Sequence, residues 1–213
     1  MVPSTYATLT FPSVISSSGG AAVDATAAIS ISGSTMTVTL TDLQQNPGDV
    51  ASVLNGIAIA ISGATGASGF SASDATIATI AGDGSYTSST ATGATIVGSA
   101  GWSLSGTSTI TLQALGGQSK YLILGPDANG NFTGGSGNAG YTGANSSIAG
   151  YGPHNPFILG NETFQFTLLG TNITEASITG FTFGFGTSSD TGGGTIVRTS
   201  VPEPTTVVAG ALR

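Results

Sequence analysis

The stretch Ile29-Ser30-Ile31-Ser32-Gly33-Ser34-Thr35-Met36-Thr37-Val38-Thr39-Leu40-Thr41 decides the fold class. Ile29 and Ile31 alternate with Ser30 and Ser32. Met36, Val38 and Leu40 alternate with Thr35, Thr37, Thr39 and Thr41. A period of two sends one set of side chains to each face of a strand. Between the two runs, Gly33-Ser34 puts glycine first in a two-residue turn, the position that needs a positive φ. The stretch therefore predicts an antiparallel hairpin with one dry face and one hydroxylated face.

The same alternation recurs along the chain. Ala7, Leu9 and Phe11 share one face of residues 6–11. Val50, Val53, Leu54 and Ile57 instead fall at i, i+3, i+4 and i+7, which predicts one or two helical turns capped by Asp49. Ile57, Ile59 and Ile61 resume the β pattern. Further strands are expected near 76–80, 94–97, 101–105 and 109–115, with Trp102 and Leu104 facing Ile110 and Leu112 across a Gly106-Thr107-Ser108 turn. Trp102 is expected in the core. The apolar run Tyr121–Leu124 reads as a strand buried on both faces. Residues 125–160 are loop-like and rich in Gly and Asn. Beyond them, Phe164, Phe166 and Leu168 alternate, as do Phe181, Phe183 and Phe185, and Thr195–Arg198 fits a last strand. Many short strands and no fixed-period repeat predict an all-β chain. The expected architecture is an antiparallel β-sandwich of Greek-key or jelly-roll type over residues 1–198. Long Gly/Asn-rich loops, at most one or two helical turns and an extended tail over 199–213 complete it.

Composition narrows the class of partner. Charged residues are 6% of the 213, against roughly 25% in an ordinary soluble domain. Lys120, Arg198 and Arg213 face ten acids, for a net charge of −7. Such a chain cannot neutralise a run of phosphates, which excludes nucleic acid and anionic membrane surfaces. The missing charge is replaced by 28 Ser, 32 Thr and 34 Gly. At 39% hydrophobic residues the chain is too apolar to be disordered. It has no cysteine, so neither a disulfide framework nor a zinc-thiolate site is available. Low charge and abundant hydroxyls suit the outside of a cell. Met1-Val2-Pro3-Ser4 lacks the basic and apolar regions of a secretory leader, so an exported protein would here be in a mature or trimmed form. No 18-residue apolar stretch occurs to span a membrane.

Few residues carry chemistry. His154, the single histidine, lies in Gly152-Pro153-His154-Asn155-Pro156, a loop fixed by two prolines. It is a candidate ligand or base, set against a loop histidine bonded to backbone. Asp127, Asn129 and Asn131 place oxygen ligands at every second residue, a spacing that suits Ca²⁺. Phe132 and Asn138 stand where an EF-hand needs Gly and Glu, and an Asx-rich turn is the competing reading. Tyr141 and Tyr151, in the Gly/Asn loop, are the candidate exposed rings for stacking on sugar. Gly135-Ser136-Gly137-Asn138-Ala139-Gly140 matches a dinucleotide spacing by letter only, without a strand–helix unit to frame it. No Gly-x-Ser-x-Gly elbow occurs, and no acid pair sits in a recognisable catalytic setting. The chain is accordingly read as non-catalytic, with no cofactor beyond Ca²⁺. Four sequons, at Asn131, Asn145, Asn161 and Asn172, are close to the number chance produces in so Ser/Thr-rich a chain.

The chain closes with Ser200-Val201-Pro202-Glu203-Pro204-Thr205-Thr206 and the apolar Val207 to Leu212 before Arg213. This ending resembles the start of a PEP-CTERM sorting signal. In that family a Pro-Glu-Pro motif precedes a transmembrane helix and a basic cluster, and an exosortase recognises the signal in Gram-negative bacteria that make extracellular polysaccharide. Pro202, Glu203 and Pro204 match the motif, and Val207 to Leu212 look like the first part of the helix. The resemblance implies export to the outer surface or surroundings of such a cell, with a sorting enzyme acting at the tail. The prolines themselves keep that segment extended. The expected function is a surface or matrix structural protein that self-associates into fibres or sheets. The alternative is a monomeric module for extracellular polysaccharide, built on the 125–160 loops.

Overall fold

The Ile29–Thr41 hairpin forms as its alternation demands. In the computed structural model, strand β1 (Tyr6–Thr10) is followed by β2 (Ala25–Ser32) and β3 (Thr35–Asp42). Ser32 pairs with Thr35 and Ile31 with Met36, which leaves Gly33-Ser34 as a two-residue turn with Gly33 at φ +60°. Ile29, Met36, Val38 and Leu40 are buried, while their Ser and Thr neighbours face outward. Residues 6–10, 21–98, 101–114, 119–132, 140–150, 152–187 and 190–193 are described. The expected strand at Thr195–Arg198 and the Pro202-Glu203-Pro204 tail lie outside them.

Two sheets share one core. The first runs β1-β2-β3-β12-β5, where β5 is Ala64–Ala72 and β12 is Asn161–Gly170. The second contains β4 (Leu54–Ile61), β6 (Ala75–Ile80), β7 (Tyr86–Ala91), β8 (Ser103–Gly106) and β9 (Thr109–Gln113). It is completed by β10 (Ile123–Leu124), β11 (Phe157–Leu159), β13 (Ile178–Phe185) and β14 (Asp190–Gly193). Its order is β14-β13-β4-β10-β11-β6-β7, and the β8–β9 hairpin joins β4 beside β10. All pairings are antiparallel except β10 with β11. The chain crosses between the sheets at β3–β4, β4–β5, β5–β6, β11–β12 and β12–β13. Those crossings carry the two inner faces against each other, as a sandwich requires.

The core is where the sequence pattern placed it. Phe164, Phe166 and Leu168 of β12 point inward, as do Phe181, Phe183 and Phe185 of β13. Trp102 is 1% exposed, packs on Phe164 at a centroid distance of 4.6 Å and donates its indole N–H to the Tyr121 carbonyl. Leu104 pairs with Leu112 and Gly106 with Ile110, so the β8–β9 hairpin has the expected turn, but Trp102 stands just before its first rung.

Local expectations fail at three places, each for a tertiary reason. Residues 94–97 are not a strand: Gly93–Ile96 is a short helix, α1. The Gly93 N–H donates to Asp74 Oδ1, and a Cβ there would lie 1.9 Å from the Ala72 carbonyl oxygen, so contact with β5 overrides the β-branched sequence. The helix expected from Val50 shrinks to a 3-10 turn, Val50–Ser52, which Asp49 caps by accepting the Ala51 N–H. Val53, Leu54 and Ile57 are buried on β4 and just before it because that strand is covered on both faces at its start. Tyr121 sits at φ +61°, so the strand expected over Tyr121–Leu124 is confined to Ile123–Leu124. Strands β5 and β7 lack the apolar alternation that announces the others.

The described residues of 125–160 have little regular structure beyond Phe157–Leu159, yet they are fastened to the sandwich end. The Asn155 side chain bonds both the N–H and the carbonyl of Ile80, extending the β11–β6 pairing by one amide. The peptide Asn155–Pro156 is cis. Asn46 donates its backbone N–H to Pro126 and its side-chain amide to Thr142. Gly125 passes so close to the Gln44 carbonyl that a Cβ would lie 2.1 Å from the oxygen. Gly125→Ala is therefore expected to cost about 2 kcal/mol or more by forcing two backbones apart. Its urea midpoint should fall accordingly, and an unchanged midpoint would contradict this packing.

Candidate functional site

The structure separates the candidate residues read from sequence. Asp127 is 1% exposed, and its Oδ1 accepts the N–H groups of Asn129 and Asn131 at 2.9 and 3.0 Å. That is an Asx turn closed on itself, with the Asn129 and Asn131 backbones turned toward the carboxylate. Among the described residues, no group of three His, Cys, Asp or Glu comes close enough to hold a metal ion. His154 is half-buried, with Nδ1 3.3 Å from the Ser119 carbonyl oxygen. Tyr151 lies outside the described residues.

Tyr141 corrects the reading of the loop as a sugar platform. Its ring is fully buried against Tyr86, at a centroid distance of 5.4 Å, and its hydroxyl donates to the Gly125 carbonyl at 2.9 Å. Its N–H donates to the Gly84 carbonyl. Burial first, and then the nearby Tyr86, Asp127 and Asp42 groups, push its phenol far above the usual tyrosine range. The ring holds the loop down and is closed to a ligand. Nothing local announces this, because the contacts come from residues far away in sequence.

Sequence reading missed two buried carboxyl groups. Asp42, at the end of β3, is fully buried and accepts the N–H groups of Gln44 at 2.9 Å and Leu54 at 3.2 Å, with the Gly125 N–H also directed at it. Glu162, on β12, is 1% exposed. Its Oε1 accepts the Ser73 hydroxyl at 2.6 Å and the N–H groups of Thr163 and Ser73 at 2.9 and 3.1 Å, while Oε2 has no hydrogen-bond partner among the described residues. Burial raises the affinity of both groups for a proton, against the lowering effect of the donors, and Asp42 is the more strongly raised. Glu162 follows Asn161 in an alternating strand, so its inward face was implicit in the period.

Outside the core, the first sheet presents an ordered hydroxyl surface. Thr26, Thr41 and Asn161 lie on one rung across β2, β3 and β12. Thr39 and Thr163 share the next, their hydroxyls 2.8 Å apart. Ser30, Thr37, Gln165 and Ser71 form a third, which reaches β5. Ser32, Thr35, Thr167 and Ser68 form a fourth. None of these positions is charged. Strand spacing sets the rungs' neighbours about 5 Å apart across the sheet and about 7 Å apart along it. At the β5–β12 edge the face sinks into an open depression of about 180 Å³ lined by Ser71, Ala72, Ser73, Thr163 and Gln165.

No family model, curated protein or solved structure matches the chain. The reading of function therefore rests on these surfaces.

Three measurements follow from the buried groups. A carboxyl whose folded pKa is raised binds its proton more tightly when folded, so its contribution is full below about pH 4 and is lost as pH rises through the folded pKa. The urea midpoint should then fall as pH rises above the ordinary carboxylate range. Glu162→Gln keeps an Oε1 acceptor and cannot ionise, so it should flatten part of that fall, and an unaltered slope would refute the assignment. Tyr141→Phe should destabilise by about 1–2 kcal/mol through the unpaired Gly125 carbonyl. Added Ca²⁺ should leave the melting temperature of the parent chain unmoved, and a rise of several degrees would reinstate the Asp127 loop as a calcium site.

Proposed function

We propose that the chain is an exported, non-catalytic structural protein of a Gram-negative cell surface or extracellular matrix, and that it joins to copies of itself through a strand edge. The observation that carries this is β7. Its four central residues, Thr87-Ser88-Ser89-Thr90, are all exposed, while only Tyr86 and Ala91 at its ends are buried. The strand pairs with β6 through six unbroken rungs and ends the sheet on its other side. Folded proteins blunt such edges with charge, proline, bulges or cover. The β7 edge has no charge, proline or bulge.

Other edges are treated differently. β5 is broken by two register shifts against β12. β8 is four residues long. The β7 sequence also reads the same in both directions across Thr-Ser-Ser-Thr. An antiparallel second copy would set Thr87 against Thr90 and Ser88 against Ser89 about a two-fold axis, which makes the edge self-complementary. The tail's resemblance to a sorting signal supports the location, with the sorting enzyme as its partner. The alternative of a monomeric polysaccharide module on the 125–160 loops loses Tyr141 as a contact, since that ring is enclosed.

Light scattering and sedimentation of the parent chain should show mass rising with concentration above 20.7 kDa. Ser88→Lys should restore the monomer at unchanged thermal stability, because its side chain is in solvent. A parent chain that stays monomeric at high concentration would end this reading.

A further inference from the structure

We propose that the outer face of the first sheet is a binding site for a neutral polysaccharide, seated in the depression between β5 and β12 and continued across the threonine rungs. The site is separate from the β7 edge and does not depend on self-association.

The chemistry of the depression is that of polyol recognition. The Ser73 hydroxyl spends its proton on Glu162 Oε1 at 2.6 Å, so its lone pairs remain to accept from a ligand. The Gln165 side chain is exposed and makes no hydrogen bond among the described residues, which offers an adjacent donor and acceptor in one amide. Ser71 donates weakly to the Gln165 carbonyl, at 3.4 Å, and Ala72 also lines the depression. Vicinal sugar hydroxyls, each both donor and acceptor, match such a set. A space of about 180 Å³ corresponds to about six waters, the scale of a single sugar ring. Glu162 fixes the rim of this depression from behind, its Oε1 holding the Ser73 hydroxyl and the Ser73 and Thr163 N–H groups in place.

Charge decides which polymer fits. The rungs carry no charged side chain, and the chain's net −7 opposes a polyanion. A protein partner fits less well, because the face has none of the Trp, Tyr or Arg anchors that carry protein–protein affinity. The regular array suits a ligand that repeats, since several weak contacts along one chain add through effective concentration.

Native affinity electrophoresis of the whole chain tests this, with dextran and hydroxyethylcellulose as neutral probes and alginate as the anionic one. A neutral polymer should retard the protein and alginate should not. Gln165→Ala and Ser73→Ala should each weaken retention about threefold to tenfold. Gln165 is exposed, so that variant keeps its unfolding midpoint even if Ser73→Ala loses stability. Ser88→Lys, which alters only the β7 edge, should be retarded like the parent. The proposal is overturned if neither neutral polymer retards the chain, if alginate retards it more, or if Gln165→Ala leaves retention intact. It is equally overturned if Gln165→Ala disperses an oligomer without changing retention, which would assign the face to protein contact. A monomeric chain still retarded by a neutral polymer removes the assembly reading and keeps this one.

Discussion

One buried acid ties the architecture together. Asp42 ends the strand that begins in the diagnostic hairpin, and its carboxyl gathers N–H groups from Gln44, from Leu54 at the start of β4 and from Gly125 at the entry to the long loop. Those donors lie in the connection from β3 to β4, at the start of β4 in the second sheet, and in the loop that leaves β10. A carboxyl without water is tolerated only where its oxygens are satisfied. The three donors meet that demand, and they fix where the chain leaves one sheet for the other. Gly125 must be glycine for the same reason, because the backbone that brings its N–H to Asp42 runs against Gln44. Tyr141 then closes over the Gly125 carbonyl, so the loop is anchored on both sides of that peptide.

How much of this could be read in advance follows from where the forces lie. The β2–β3 hairpin was legible because pleat, turn and burial all speak in one local pattern. The Phe164–Leu168 and Phe181–Phe185 runs were legible for the same reason, and Trp102 went to the core with them. Gly93–Ile96 was misread as strand because Ala-Thr-Ile-Val favours extension locally, whereas Asp74 and the Ala72 carbonyl act from the end of β5 and the link that follows it. β7 was invisible because both faces of its centre meet water, so no apolar alternation marks it. Tyr141 looked like a surface ring only because its neighbours in sequence are Gly and Asn. Its neighbours in space are Tyr86 and Gly125. The depression at β5 was illegible too, since it depends on a register that the Gly-rich β5 does not announce.

Among the described residues, the sandwich separates its surfaces by chemistry. The inner faces hold the aromatics and branched aliphatics. The loop end buries its tyrosine and its acids. The outer face of β2, β3 and β12 is mostly hydroxylated and uncharged, and the β7 edge is polar without charge. Such surfaces rely on short-range geometry, since long-range repulsion has little to act on. On the reading proposed above, contact with them would be decided by hydroxyl spacing and strand pairing, the two quantities a regular β-sheet controls best.

The placement of β14 has a mechanical consequence. It is the last described strand, and it meets β13 through only four rungs, from Thr182–Gly193 to Phe185–Asp190. β13 in turn is held to β4 by seven. A load drawn from the carboxyl-terminal side arrives at Gly193 and opens those four rungs one at a time. Only after that does it reach a strand bearing Phe181, Phe183 and Phe185 in the core. Tension is thus spent on a short peelable ribbon before it touches the sandwich, so the domain carries its own strain relief at the end where a tether would pull.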